Sequence, residues 1–266
     1  MITLLAQAGR YRGLIYSLVH RDITMRFRQS AFSFLWLILQ PICMLLVYSF
    51  VFQVVMRVRW HDASFSDNAV PVGLILFTGL SIYAVLAETL IRCPAVITGN
   101  TSYVKKVVFP LALLPVVVVL SALVLAAIAF ALIAMLTLFW QSYLPAITVG
   151  IVVPMTALFC MCLGIGWFIA ALGVYFRDVN QIMPFLSTII LFTAPICYPK
   201  EIVPEQFRFL MAINPLTIPV ETIRSMLFGG SIDFFSLITY CFISLFIMFA
   251  GYAFFQRLRI GFADVL

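Results

Sequence analysis

Between Lys106 and Arg177 the chain runs for seventy residues, Val107 to Phe176, without one Lys, Arg, Asp, Glu or His. A helix rises about 1.5 Å per residue and a bilayer core is about 30 Å thick, so about twenty helical residues make one crossing. The block therefore holds two long crossings and a turn, legible at Trp140-Gln141-Ser142-Tyr143-Leu144-Pro145. Lys105-Lys106 before it and Arg177-Asp178 after it then lie on one side of a membrane. Inside a bilayer every backbone polar group must be paired within the structure, which leaves helices or closed barrels. Continuous apolar runs, rather than ten-residue alternations, select helices. The fold class is thus an all-α integral membrane protein, and with 10% charged residues in 266 there is no room for a sizeable soluble domain.

Six spans are expected, at about Phe32 to Val55, Val70 to Leu90, Leu111 to Phe139, Ala146 to Val174, Ile182 to Tyr198 and Phe234 to Phe255. The third and fourth exceed what a crossing needs, which points to tilt, kinks at Pro115 or Pro154, or interfacial ends. No cleavable signal peptide is visible, because the first apolar run is a full crossing preceded by five arginines. Six crossings put both termini on one side. Arg10, Arg12, Arg21, Arg26, Arg28, Arg92, Lys105, Lys106, Arg177, Arg257 and Arg259 place eleven of the sixteen cations there, so the positive-inside rule makes both termini cytoplasmic. Arg57, Arg59, Lys200, Arg208 and Arg224 fall on the opposite face. This asymmetry explains the net charge of +6 without a nucleic-acid partner.

Residues 1–31 form a cytoplasmic arm, 32–255 the membrane domain and 256–266 a cytoplasmic tail. Within the arm, residues 10 to 29 read as an amphipathic interfacial helix. Leu14, Ile15, Leu18, Val19, Ile23 and Phe27 recur at helical spacing, and Arg12, His20, Arg21, Arg26 and Arg28 can reach headgroups or a cytoplasmic subunit. Between Pro199 and Asp233 two short helices fit, started at Pro204-Glu205 and Pro219 to Glu221, broken by Asn214-Pro215 and stopped by Gly229-Gly230. Their apolar content requires packing into the outer mouth of the bundle.

Chemistry is sparse. Glu88 is the one acid inside a span, and Arg92 four residues on can pair with it on the same helix face. No phosphate-binding loop occurs, so any ATP is bound by another chain. His20 and His61 lie on opposite sides of the membrane, and Trp60-His61-Asp62 reads as an interfacial loop rather than a catalytic cluster. Six cysteines fall in or beside apolar runs, with no disulfide framework and no metal-ligand spacing. In the first span Phe32, Phe34, Trp36, Tyr48, Phe50 and Phe52 accompany Gln40 and Gln53. Rings with a few polar groups suit a path for sugars, and equally suit packing or the headgroup belt.

Four stretches carry a family resemblance. Arg12-Gly13-Leu14-Ile15 through Arg21-Asp22 and Arg26-Phe27-Arg28-Gln29-Ser30 to Trp36 and Gln40-Pro41 form the first. Asn100 to Pro110, with Tyr103, Lys105-Lys106 and Phe109-Pro110, is the second. Tyr175-Phe176-Arg177-Asp178-Val179 with Ala194-Pro195-Ile196-Cys197-Tyr198-Pro199 is the third, and Asn214-Pro215-Leu216 with Glu221 to Arg224 the fourth. Together they resemble the membrane permease of type-2 ABC exporters for polysaccharides, the group handling O-antigen, teichoic acid and capsular glycans. Ser33 departs from the glycine that family commonly has three residues before the Trp.

The resemblance implies a non-enzymatic channel subunit in the bacterial cytoplasmic membrane, working as a homodimer with two separate ABC ATPase subunits that bind ATP and Mg. The cargo is a glycan on a polyprenyl diphosphate carrier, O-antigen foremost. Trp36, Tyr48, Phe52, Phe185 and Phe192 are expected to line the channel. Arg92, Asn100, Tyr103, Lys105, Lys106, Arg177 and Asp178 would couple it to the ATPase. Pro204, Phe207, Asn214, Pro215, Glu221 and Arg224 would form the external gate. An exporter of small molecules and a membrane enzyme of lipid-linked sugars are the alternatives.

Overall fold

A computed structural model describes residues 11–27, 35–55, 71–101, 103, 109–141 and 150–265. Among them the chain is helical, without strands. The arm gives α1 (Arg12–Phe27), and α2 (Trp36–Tyr48) runs into a π-helical turn, Ser49–Val55. Four longer helices follow: α3 (Val72–Val96), α4 (Leu113–Gln141), α5 (Val152–Tyr175) and, near the C-terminus, α9 (Phe234–Leu258). Between the last two lie α6 (Val179–Thr193) and the short α7 (Arg208–Ile213) and α8 (Thr217–Phe228). The terminal turn α10 is Phe262–Val265. Val72–Val96, Leu113–Phe139, Val152–Tyr175 and Phe234–Gly261 are long and apolar enough to cross a membrane; Trp36–Phe52 and Val179–Thr193 are shorter apolar helices.

Helix α3 is the hub, packing against α2, α4, α5, α6 and α8, while α5 and α9 form the most extensive pair. That pair is close because both helices are bare at the crossing. A Cβ on Gly251 would lie 2.1 Å from the Gly164 carbonyl oxygen, and one on Gly164 would lie 2.3 Å from that of Ile247. Helices meeting in lipid gain from such small-residue contacts, since apolar burial alone does not drive them together. The opposite face of α9, with Phe235, Phe242 and Phe246, is exposed. Four buried helix hydroxyls are satisfied by their own backbone: Thr78, Ser81, Thr89 and Thr137 each donate to the carbonyl four residues earlier.

Several expected boundaries move. Pro115 and Pro154 do not kink their helices; each is the third residue, in the first turn, where the missing N–H has no intrahelical acceptor. The second span continues past Leu90 to Val96, so Arg92 belongs to a helix and not to the following loop. The fifth ends at Thr193 instead of Tyr198. Pro195 cannot continue a helix and forces Ala194 into extended backbone, ψ 151°. The second short helix begins at Thr217, with Pro219 in its first turn, and stops as expected at Gly229, whose φ of 86° suits glycine. Most of the turn read at 140–145, the Trp60-His61-Asp62 loop, Arg28, Ser33, Lys105 and Lys106 lie outside the described residues.

Candidate translocation cavity and coupling joint

Helices α2, α3 and α4 flank a half-open cavity of about 590 Å³. Its wall is mostly apolar, from Leu37, Met44, Phe77, Leu80, Leu125 and Ala126, with Gln40, Tyr48, Ser81 and Tyr83 as polar points and Arg26 and Glu88 as its charges. Pro41 sits inside α2 and also lines the cavity. Lacking an N–H, it cannot bond the Leu37 carbonyl one turn back. The Tyr83 hydroxyl lies 2.9 Å from Ser187 Oγ and so ties α3 to α6.

The two charges belong to a four-membered joint between α1 and α3. Arg26 donates through both terminal nitrogens to the two oxygens of Glu88, each at 2.5 Å, and Arg92 donates to Asp22 at 2.6 and 3.1 Å. Each helix thus contributes one acid and one base, crossed and bidentate, the strongest geometry for such pairs. Arg92 Nη1 also reaches Glu88 at 3.3 Å, as the four-residue spacing predicts, and Arg26 lies 3.6 Å from Asp22. All four side chains are about a quarter exposed, between 21 and 32%. Burial raises the Asp22 pKa, but the hydrogen bond and charge of Arg92 outweigh it and hold the carboxyl below its ordinary value. Arg26 was expected to face headgroups or a partner; it turns inward because Ile15, Leu18, Val19, Asp22 and Ile23 form the less exposed stripe of α1, while Leu14 is exposed.

The aromatic residues expected to line a channel are dispersed. Tyr48 stands in the cavity wall, and Phe52 is half-buried in the π turn. Trp36, Phe185 and Phe192 are exposed. Within one chain α2 and α6 flank α3, with Leu191 of α6 reaching the cavity.

Of the expected coupling residues, Arg92 is in the joint, and Asn100 donates to the Val96 carbonyl, closing the end of α3. Tyr103 stacks on Phe109 at 4.6 Å. Arg177 and Asp178 are exposed in the turn after α5. That turn is anchored just before it, where the Tyr175 hydroxyl donates to the Leu258 carbonyl and the ring packs on buried Phe262.

At the other end, Pro204 and Phe207 are exposed and Pro215 is half-buried. Asn214 is buried: its amide nitrogen donates to the Ile190 carbonyl and Thr193 Oγ1, and its oxygen accepts from Leu216 N. It therefore ties the α7–α8 junction to the end of α6, where the Ile190 carbonyl also accepts from Ala194 N. Glu221 pairs with Lys200 at 3.5 Å. Arg224, read from sequence as a cation of the outer face, is 4% exposed. Its three guanidinium nitrogens donate to the carbonyls of Ile75, Pro195 and Ile196 at 3.0, 2.5 and 2.8 Å. Gly79 makes room for it, since a Cβ there would lie 2.6 Å from Arg224 Nη2.

Sequence reasoning found Glu88 with Arg92 but missed Asp22, Arg26 and Gly79 as partners, whose only sequence signal was a pair of opposite charges on the α1 stripe. Among the described residues no three His, Cys, Asp or Glu side chains are grouped to hold a metal.

A family profile described as ABC-2 type transporter matches residues 13–228, from α1 through α8. The chain is 26% identical to an O-antigen export system permease protein of Klebsiella pneumoniae, over 95% of each chain. It is 28% identical to one of Myxococcus xanthus, over 99% of each. A polysialic acid transport protein of Escherichia coli is 24% identical over 82% of this chain and 83% of its own. The chain belongs to the ABC-2 type transporter family.

Proposed function

We propose that this chain is the membrane-spanning permease subunit of an ATP-driven exporter that moves lipid-linked polysaccharide, O-antigen foremost, outward across the bacterial cytoplasmic membrane. The observation that carries the reading is the nearly end-to-end similarity to O-antigen export permeases. The polysialic acid transport relative makes a capsular glycan the second reading.

In this reading α2 with its π turn, α3, α4, α5, α6 and α9 are six spans, and both termini are cytoplasmic. Two copies line the path. Two separate ABC ATPases bind ATP and Mg, and the carrier is a polyprenyl diphosphate. The ATPases press on the segments around Arg92 to Pro110, which Arg92 joins to α1 through the crossed ion pairs, and around Arg177-Asp178. Helices α7 and α8 gate the outer end. This chain supplies no catalytic residue.

The test is purification of the tagged chain from its native membrane in mild detergent, together with surface-glycan analysis of a strain lacking it. A stoichiometric partner with a phosphate-binding loop, and glycan retained inside the deletion strain, are expected. A chain that purifies alone, in a strain with normal surface glycan, refutes the reading.

A further inference from the structure

We propose that the cavity between α2, α3 and α4 is a lipid site in which Arg26 is the headgroup residue: an apolar chain occupies the cavity and a phosphate takes the place of Glu88 on the guanidinium. The carrier arm of the test below rests on the exporter reading; the lipid site itself does not.

Four observations converge on it. The cavity, at about 590 Å³, is within the range of about 300 to 1,000 Å³ typical of ligand sites. It is built by apolar helices, and its mostly apolar wall suits a hydrocarbon chain. Among the described residues Arg26 is the one cation of its lining, and it stands with Glu88 where α1 meets the C-terminal half of α3. Basic positions of this kind, beside an apolar cleft, take lipid phosphates.

The Arg26 fork is already engaged in a bidentate contact with a planar anion, and phosphate oxygens fit the same fork. What makes exchange feasible is the second cation. Glu88 lies 3.3 Å from Arg92, so releasing Arg26 does not strand its carboxylate. Asp22 meanwhile keeps its two hydrogen bonds to Arg92, and α1 keeps its packing on α4. The four side chains are formally neutral together, so an incoming phosphate leaves the site negative. Glu88 therefore opposes binding while Arg26 favours it, and the two substitutions must act with opposite sign.

The experiment measures lipid affinity on the full chain purified with its partner subunits, by displacement of a fluorescent phosphatidic acid. Competitors are phosphatidic acid, a polyprenyl diphosphate and diacylglycerol, which has no phosphate. Arg26→Gln should weaken both phosphate lipids at least tenfold, the loss expected for one charge-assisted hydrogen bond. Glu88→Gln should tighten them by roughly two- to fivefold, the range of a partly exposed charge interaction. Diacylglycerol should bind weakly and equally to all forms. Preference for the polyprenyl diphosphate over phosphatidic acid marks the site as one for the carrier; equal competition marks it as one for bulk phospholipid. Diacylglycerol competing as well as phosphatidic acid overturns the proposal, as does unchanged affinity in both variants or weakened binding in Glu88→Gln. Absence of an ATPase from the purified complex strikes the exporter reading alone, because displacement is still measured on the chain.

Discussion

Replacing Arg224 by Leu removes a buried cation that spans three segments. Ile75 lies inside α3, where its carbonyl also serves the helix, so its loss of a donor is tolerable. Pro195 and Ile196 lie outside any helix and lose theirs outright. A hydrogen bond from a charged donor is worth about 1.5–3 kcal/mol, so two lost bonds cost about 3–6 kcal/mol. Relief of the desolvated charge offsets part of this, which places the expected loss near the lower end, about 3 kcal/mol. At about 2–4 °C per kcal/mol for a chain of this size, the melting temperature should fall by about 6 °C or more. The assay is the fraction remaining monodisperse after heating in mild detergent. Gly79→Ala provides the second arm, because its Cβ would meet Arg224 Nη2 at 2.6 Å. It should destabilise the wild type but cost about 1 kcal/mol less when Arg224 is already Leu. A fall of less than about 2 °C for Arg224→Leu, or strict additivity of the two changes, refutes the strut.

Asp22 gives a pH signature. Its folded pKa lies below the ordinary carboxylate value of about 3.9, so its contribution is complete above that pH and is lost as pH falls through the folded value. Thermal stability should decline on acidification below about pH 4, and Asp22→Asn should flatten the decline; an unaltered profile removes the Arg92 pairing. Gly251→Ala pushes α9 off the Gly164 backbone and should cost about 1–3 kcal/mol, read as lower yield and melting temperature. Under the exporter reading, Tyr48→Ala with Phe52→Ala should impair glycan export while leaving complex assembly intact, and normal export removes both from the path.

What was legible in the sequence is what the bilayer or the local backbone dictates. Seventy uncharged residues admit nothing but apolar helices, and α4 and α5 occupy that block. The Glu88–Arg92 contact follows from four-residue spacing on one helix, and the stop at Gly229 from the one residue type that takes positive φ cheaply. Local rules also reach the end of α6, although Pro195 was passed over in an apolar run. Tertiary structure alone decided the rest. Arg26 meets Glu88 across 62 residues of chain and Arg224 meets Ile75 across 149. Neither spacing encodes a partner. A cation's sequence neighbours fix which side of the membrane it favours, while the carbonyls and carboxylates that can hold it indoors are assembled only when α1, α3, α6 and α8 come together.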